Sequence, residues 1–213
     1  MMENVLQFLP LLLSGAIVTV EVSVLALLVS SLLGFVLALL KLSPNRWLAY
    51  PASGVVNVIR GLPILIVLFY MYFVLPELGI DLTAFQAGVL GLGIGYSGYQ
   101  AEIFRGGIQA VDRGQTEAAQ AIGMKPAMIM RRVTLPQALR ISIPPYANTF
   151  TMILKDSSLV STITVAEMTH AGQLIASATF QNMTVYTLTA LLYLAMSLPL
   201  LYLVNRLERH LRR

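Results

Sequence analysis

Pro10 to Leu40 restricts this chain more than any other stretch, because it is nearly all apolar and holds one charged residue, Glu21. About 20 apolar residues cross a bilayer. As a helix at ~1.5 Å per residue this run reaches ~46 Å, beyond a hydrocarbon core of ~30 Å. Either its first turns lie in the outer interface or the helix tilts. Composition agrees with a membrane chain: 57% of the 213 residues are hydrophobic and 11% are charged, against about 25% charged in soluble domains. There is no cysteine and there are two distant histidines, His170 and His210. Disulfides, thiolate chemistry and a cysteine-based metal site are excluded, and no metal centre is expected. The start, MMENVLQFLP, lacks a basic signal-peptide region, so the first apolar stretch is expected to be retained.

Four more apolar stretches follow: Val55–Leu75, interrupted by Asn57 and Arg60; Phe85–Phe104; a more polar Ile141–Leu159; and a clean Tyr186–Val204. Val165–Phe180 is too polar to span, but Val165, Met168 and Ile175 have near-helical spacing and predict a short interfacial helix. Basic residues sort the loops. Lys41 and Arg46 follow the first span. Arg113, Lys125, Arg131, Arg132 and Arg140 follow the third, and Arg206, Arg209, Arg212 and Arg213 close the chain. Alternate loops hold Glu77, Asp81 and Glu167, with Lys155 at most near their edge. Positive residues stay cytoplasmic, which predicts an outer N-terminus and a cytoplasmic C-terminus. Topology thus accounts for the net charge of +4, and no nucleic acid is expected. The expectation is an all-α membrane protein with five transmembrane helices, one domain over 1–213, in contact with membrane lipid.

The loop at about 109–139 is long for a helix connection. Thr116 is placed to cap a helix, Glu117 to meet its dipole, and Ala118, Ala119 and Ala121 to favour it. Gly123 suits the left-handed position after its end. Pro126 suits the first turn of a second helix, and Pro136 that of the fourth span. The result is a compact two-helix elbow. Small Ala118 and Ala119 let a partner approach the backbone; a connector lying on the surface without a partner is the alternative reading.

EAAQAIG, then LPQALR, resembles the EAA loop of ABC-importer permeases. RGLPILIVLFYMYF, YQAEIFRGGIQAVDRGQTEAAQAIGMK, LPQALRISIPPYANTF and LKDSSLVSTITVAEM narrow the resemblance to the polar-amino-acid permeases, the histidine/glutamine/arginine type, over about residues 57–168. Lys125-Pro126 departs from the pattern, where a small polar residue such as Ser is expected. The resemblance implies a type I importer permease core in the bacterial inner membrane, dimerised about the membrane normal with an identical or paralogous permease. It implies two ABC ATPase subunits, an extracytoplasmic amino-acid-binding protein, and a polar amino acid as cargo. Glu117, Ala118, Ala119 and Gly123 become a coupling helix resting in an ATPase cleft. The chain lacks G-x-x-x-x-G-K-[ST], so ATP and magnesium are expected in the partner ATPase, with no cofactor and no catalytic residue here.

Other residues carry paired readings. Arg60 either snorkels to headgroups or, as the resemblance implies, marks the second span near the dimer interface and pathway. Glu102 and Arg105 pair along one helix. Gly91 and Gly95 let a helix approach, within the chain or across a dimer. Glu21 is an interfacial acid or a proton site. GYSG at Gly95–Gly98 raises an intramembrane serine protease as an alternative, needing a histidine for Ser97. An ATP-independent secondary transporter is a third class, disfavoured by the absence of an internal repeat. In the fourth span Asn148, Met152 and Lys155 share a face with Thr151 beside it, and Asp156 points about 100° away from Lys155. Lys155 and Asp156 offer both charges that a zwitterionic amino acid needs. Pro144-Pro145 is expected to open the helix beneath them. Alternatively LKDSS is simply where the helix ends, with both charges solvated.

Overall fold

The computed structural model describes residues 2–211; Arg212 and Arg213 of the basic tail lie outside them. The described residues form helices and turns with no strand. The first helix, α1, runs from Met2 to Lys41 with Pro10 inside it. Leu12, Gly15, Thr19, Val22, Ala26, Ser30, Gly34 and Ala38 recur every three or four residues along it and are buried. This seam of mostly small side chains is what close helix packing in lipid requires. Of its hydroxyls, Ser30 donates within its own helix, to Leu27 O at 2.9 Å, while Thr19 also reaches the start of α8.

α2, Arg46–Gly61, starts where Asn45 accepts the Trp47 amide at 3.0 Å. α3 covers Ile64–Phe69. The sequence reading took Val55–Leu75 as one span; instead helix begins nine residues earlier and breaks at Leu62–Pro63 with a bend of 101°. Leu62 is extended (φ −92°, ψ 138°) because the proline ring disfavours helix in the residue before it. α3 continues through a wide π-turn, Tyr70–Val74, and a 3₁₀ turn, Leu75–Leu78.

α4, Ala84–Gln109, opens on a capping box between Thr83 and Gln86. It is the axle of the fold, touching α1, α2, α3 and α7. Gly91 and Gly95 receive Leu68 and Ile64 of α3, so their small-residue pattern serves packing inside the chain. After the loop helix α5, Arg113–Ala121, come α6, Pro126–Ile129, a second π-turn at Met130–Thr134, and α7, Leu135–Asp156. Pro136 stands in the first turn of α7, as its position suggested, although the π-turn before it keeps the backbone helical across the junction. The Leu135 amide reaches Met130 O, five residues back. The Leu75 amide reaches Tyr70 O in the same way before Pro76. Both wide turns precede a Leu-Pro pair. Widening clears the carbonyl that the proline ring would otherwise strike.

Pro144 and Pro145 do not open α7, contrary to expectation; helix continues to Asp156. A 3₁₀ segment, Ser157–Ile163, leads to α8, Met168–Thr179, which lies between α1 and α9, Asn182–Leu211. Glu167 caps α8 at the His170 amide (2.8 Å) and also accepts from Tyr193 OH (2.8 Å) and Thr19 Oγ1 (3.3 Å). The predicted interfacial helix is thus partly sunk in protein. One core gathers Val22, Leu68, Leu92, Tyr96, Ile153 and Ile163; a second gathers Phe8, Leu12, Met168, Ile175 and Val185. α1 contributes to both.

Candidate coupling elbow and translocation face

The elbow is built from its two ends. At its start Asp112, not Thr116, is the cap: Asp112 Oδ1 accepts the Gly114 amide at 2.7 Å. Thr116 lies inside the helix, its hydroxyl donating to Arg113 O at 2.7 Å. α5 therefore starts a turn earlier than the sequence suggested. At its end Gly123 has φ +78°, as expected of a left-handed stop. Its amide reaches Gln120 O at 2.9 Å, and that of Met124 reaches Ala119 O at 3.1 Å. These two bonds satisfy carbonyls that the helix leaves open. A Cβ on Gly123 would meet nothing within 4 Å, so its backbone angle alone demands glycine. Lys125 is extended before Pro126 and accepts the Met128 amide at 2.8 Å, so the departure at Lys125-Pro126 leaves the elbow closed. Ala119 turns inward, while Glu117, Ala118 and Ile122 face out, Ile122 with 77% of its surface exposed. The exposed face of α5 is slim and mixed in character, as a docking surface requires.

Above the elbow lies an ionic layer. Glu102 of α4 binds Arg105 Nη2 at 2.6 Å, the pair foreseen from the sequence, and also takes Lys41 Nζ from the end of α1. The Lys41 link was not legible, since it joins residues 61 apart.

The second site is a face made by α2, α4 and α7. Between Ala87 and Ile108 only Tyr99 is exposed. α2 reaches α4 at Gly98, where a Cβ would lie 2.9 Å from Arg60 Cγ and 3.2 Å from Val56 O. That contact holds the Arg60 guanidinium over the Tyr99 ring, 5.4 Å from its centroid. Tyr99 and Tyr96 rings are 6.0 Å apart. Tyr96 OH donates to Asp156 Oδ2 at 2.6 Å. Arg60, Tyr99, Tyr96 and Asp156 thus form one line across the face.

The expected stripe on α7 is kept in part. Asn148, Met152 and Lys155 are exposed together. Thr151 is not beside them: it is 1% exposed, its hydroxyl 3.4 Å from Ala147 O. Asp156 turns inward to Tyr96, so Lys155 and Asp156 are separated, and Asp156 is not freely solvated. Sequence reading missed Tyr96 and Tyr99. Their signal was two polar aromatics three apart in a glycine-rich span.

Ser97 is buried and donates to Ile94 O at 2.7 Å within its own helix. His170 sits on α8, bound through its amide to Glu167. Nothing in this geometry assembles a serine nucleophile. Glu21 is exposed in a shallow groove of about 520 Å³ with Leu13, Ala16, Ile17, Val20 and Met196. Among the described residues no group of three or more histidines and acids is placed to hold a metal ion.

Residues 30–213 match the family described as the binding-protein-dependent transport system inner membrane component. The chain belongs to this family. A probable amino-acid ABC transporter permease of Sinorhizobium fredii is 39% identical over 206 residues, covering 97% of this permease and 89% of that protein. The glutamine transport system permease GlnP of Escherichia coli is 36% identical over 207 residues, with 96% and 94% covered. Among solved structures, an amino acid ABC transporter described with histidines superimposes with a TM-score of 0.92 at 40% identity, covering 97% of each chain. The MetNI methionine transporter in inward-facing form gives 0.81 at 22% identity, covering 95% and 97%, a likeness of fold. The fold is that of a type I ABC importer permease. The resemblance read from the EAA loop and its flanks is borne out.

Proposed function

We propose that this permease carries polar amino acids inward as the membrane half of an ATP-driven importer. Two copies, or this chain and a paralogue, form the pathway; two cytoplasmic ATPase subunits hold ATP and magnesium; an extracytoplasmic binding protein delivers the cargo. The observation that carries this reading is the α5 elbow. It is a short helix stopped at both ends, exposed along Glu117-Ala118, and followed after one tight turn by the helical run from α6 through α7 to Asp156. Relatives named for amino acids and glutamine support the cargo class. Glu117, Ala118, Ala119 and Gly123 couple to the ATPase, with Ala119 supporting the elbow from inside. Arg60, Asn148, Met152, Lys155 and Asp156 line the pathway, and buried Thr151 supports its wall.

The chain forms one domain with its coupling loop at about 109–139. Five crossings are α1, the bent α2–α3 unit, α4, α7 and α9, with the N-terminus outside and the C-terminus cytoplasmic. Basic Lys41, Arg113, Lys125, Arg131, Arg132 and Arg206 then share the cytoplasmic side.

The test is reconstitution of permease, ATPase and binding protein in vesicles, with labelled glutamine, arginine and histidine. Uptake of one of them that requires ATP and all three components supports the reading. Uptake by this chain alone without ATP establishes a secondary transporter instead. Asn148→Leu is expected to lower uptake or shift selectivity while assembly survives; unchanged transport and selectivity would remove α7 from the pathway.

A further inference from the structure

α2 lies across the bundle rather than along it. Ile64 and Leu68 of α3 face Gly95 and Gly91 of α4, four residues against four, so these two helices run alongside one another. The 101° bend at Leu62–Pro63 therefore lays α2 across the axis of α4. Both ends of α2 stand at nearly one level. Lys41, closing α1, binds Glu102 of α4, and a tight turn over residues 42–45 leads from there into α2. At the other end Ile59 and Arg60 crowd Gly98, which is four residues, or ~6 Å, from Glu102 along α4. The 16 residues of α2 make a helix ~24 Å long, so it runs sideways far more than it rises.

The circumference of α2 divides into three. Exposed Trp47, Leu48, Pro51, Val55 and Val58 fall within one sector of about 100°. Ala52 and Val56 are buried against the chain. Arg46, Ser53, Asn57 and Arg60 share a polar sector of about 60°, roughly opposite the apolar one. That division suits lipid above, protein beside and water below, the setting of a helix whose apolar face sinks ~5–10 Å into the headgroup boundary. Trp47, 88% exposed, and Tyr50 are of the types that favour headgroup level. The polar sector holds two cations and no acid, which matches the anionic surface of a cytoplasmic leaflet. We propose that α2 lies flat in that leaflet, with Trp47, Leu48, Val55 and Val58 as its lipid-docking face. The crossing of the bent unit then falls to α3 and the turns that follow it to Leu78. The choice of leaflet rests on the topology given above.

The test uses the full chain with its ATPase, the latter stripped of cysteine and tryptophan, in vesicles of phosphatidylethanolamine and phosphatidylglycerol. The chain has one tryptophan and no cysteine, so each probe reports from one place. Nitroxides are attached at Leu48→Cys, Val55→Cys and Val58→Cys, one variant at a time. Their depths, read from collisions with oxygen and with a water-soluble nickel chelate, are expected to agree within about 5 Å, close to the headgroups. In a helix crossing the bilayer Leu48 and Val58 would differ by ~15 Å, and such a ramp overturns the proposal. So does protection of all three from oxygen and nickel alike, which would show that a second permease chain covers the face. Unmodified Trp47 gives a reading without substitution. Lipids with a nitroxide near the headgroup should quench it about 2-fold more than lipids labelled near the bilayer centre; an equal or reversed effect sinks the idea. Pro44→Cys reports the leaflet, and a membrane-impermeant maleimide should label it from the cytoplasmic face only. Labelling from outside overturns the topology and the choice of leaflet with it. A depth ramp with cytoplasmic labelling overturns this inference alone.

Discussion

α4 and α9 differ in a way that hydropathy inverts. α9 is apolar enough to cross a bilayer on composition alone, with a mean hydropathy of 1.9, yet only 11% of its most apolar window is buried within the chain. α4 does not reach that apolarity, yet half of its residues are buried against its neighbours. A helix that faces lipid must be apolar in composition and is nearly indifferent to which apolar residue stands where. A helix that faces other helices needs small residues at defined places, and these score poorly as membrane formers. The line of contacts through Tyr96 and Tyr99 sits on the second kind.

The largest expected effect falls on α4. A Cβ at Gly93 would lie 2.5 Å from Val29 Cγ1 and 2.7 Å from Val29 Cβ. Gly93→Leu should therefore cost about 3 kcal/mol through overpacking, read as loss of folded protein after detergent extraction and a lower unfolding temperature. Near-normal stability would show that α1 and α4 are not held by close contact. Next comes Gly123→Val, which separates a turn glycine from a packing glycine. Nothing obstructs its side chain, so only left-handed strain of roughly 1–2 kcal/mol acts. The chain should still insert and bind its ATPase, while uptake per ATP hydrolysed falls. A normal ratio of uptake to hydrolysis counts against the elbow as the transmitter.

Smaller again is Glu102→Gln. It removes the charge that holds Lys41 and Arg105, but the group is partly exposed, so about 1 kcal/mol is expected. The loss should shrink in high salt; a salt-independent loss would place the pair in a drier setting than the fold implies. The smallest belongs to α9, where Leu198 is 56% exposed. Leu198→Ala should change stability by less than about 0.5 kcal/mol. A loss comparable with Gly93→Leu would mean that α9 is covered by another protein chain rather than lipid.

What was legible in the sequence had local causes. Gly123, Pro126 and the Glu102–Arg105 pair answer to backbone angles or to spacing along one helix, and the structure places them as expected. Thr116 failed as a cap because Asp112 lies a turn earlier with a better side chain for the task, and apolar patterning cannot rank two caps. The bend at Pro63 and the unbroken run past Pro136 and Pro144-Pro145 look alike in sequence. They differ because an extended Leu62 stops one helix while a π-turn absorbs the other proline. Tyr96 and Tyr99 were overlooked because their partners, Asp156 and Arg60, come from distant parts of the chain.

The helical run from Pro126 to Asp156 has a kinetic consequence. At ~1.5 Å per residue it is roughly 46 Å long, with helix on both sides of its π-turn and no loop between Pro126 and the Asp156 carboxylate. A strut without a joint has no intermediate position in which one end has moved and the other has not. Displacement of the strut at Pro126 and displacement of Asp156 are therefore a single elementary step with one rate. Reporters placed at the two ends should relax together, with no lag between them.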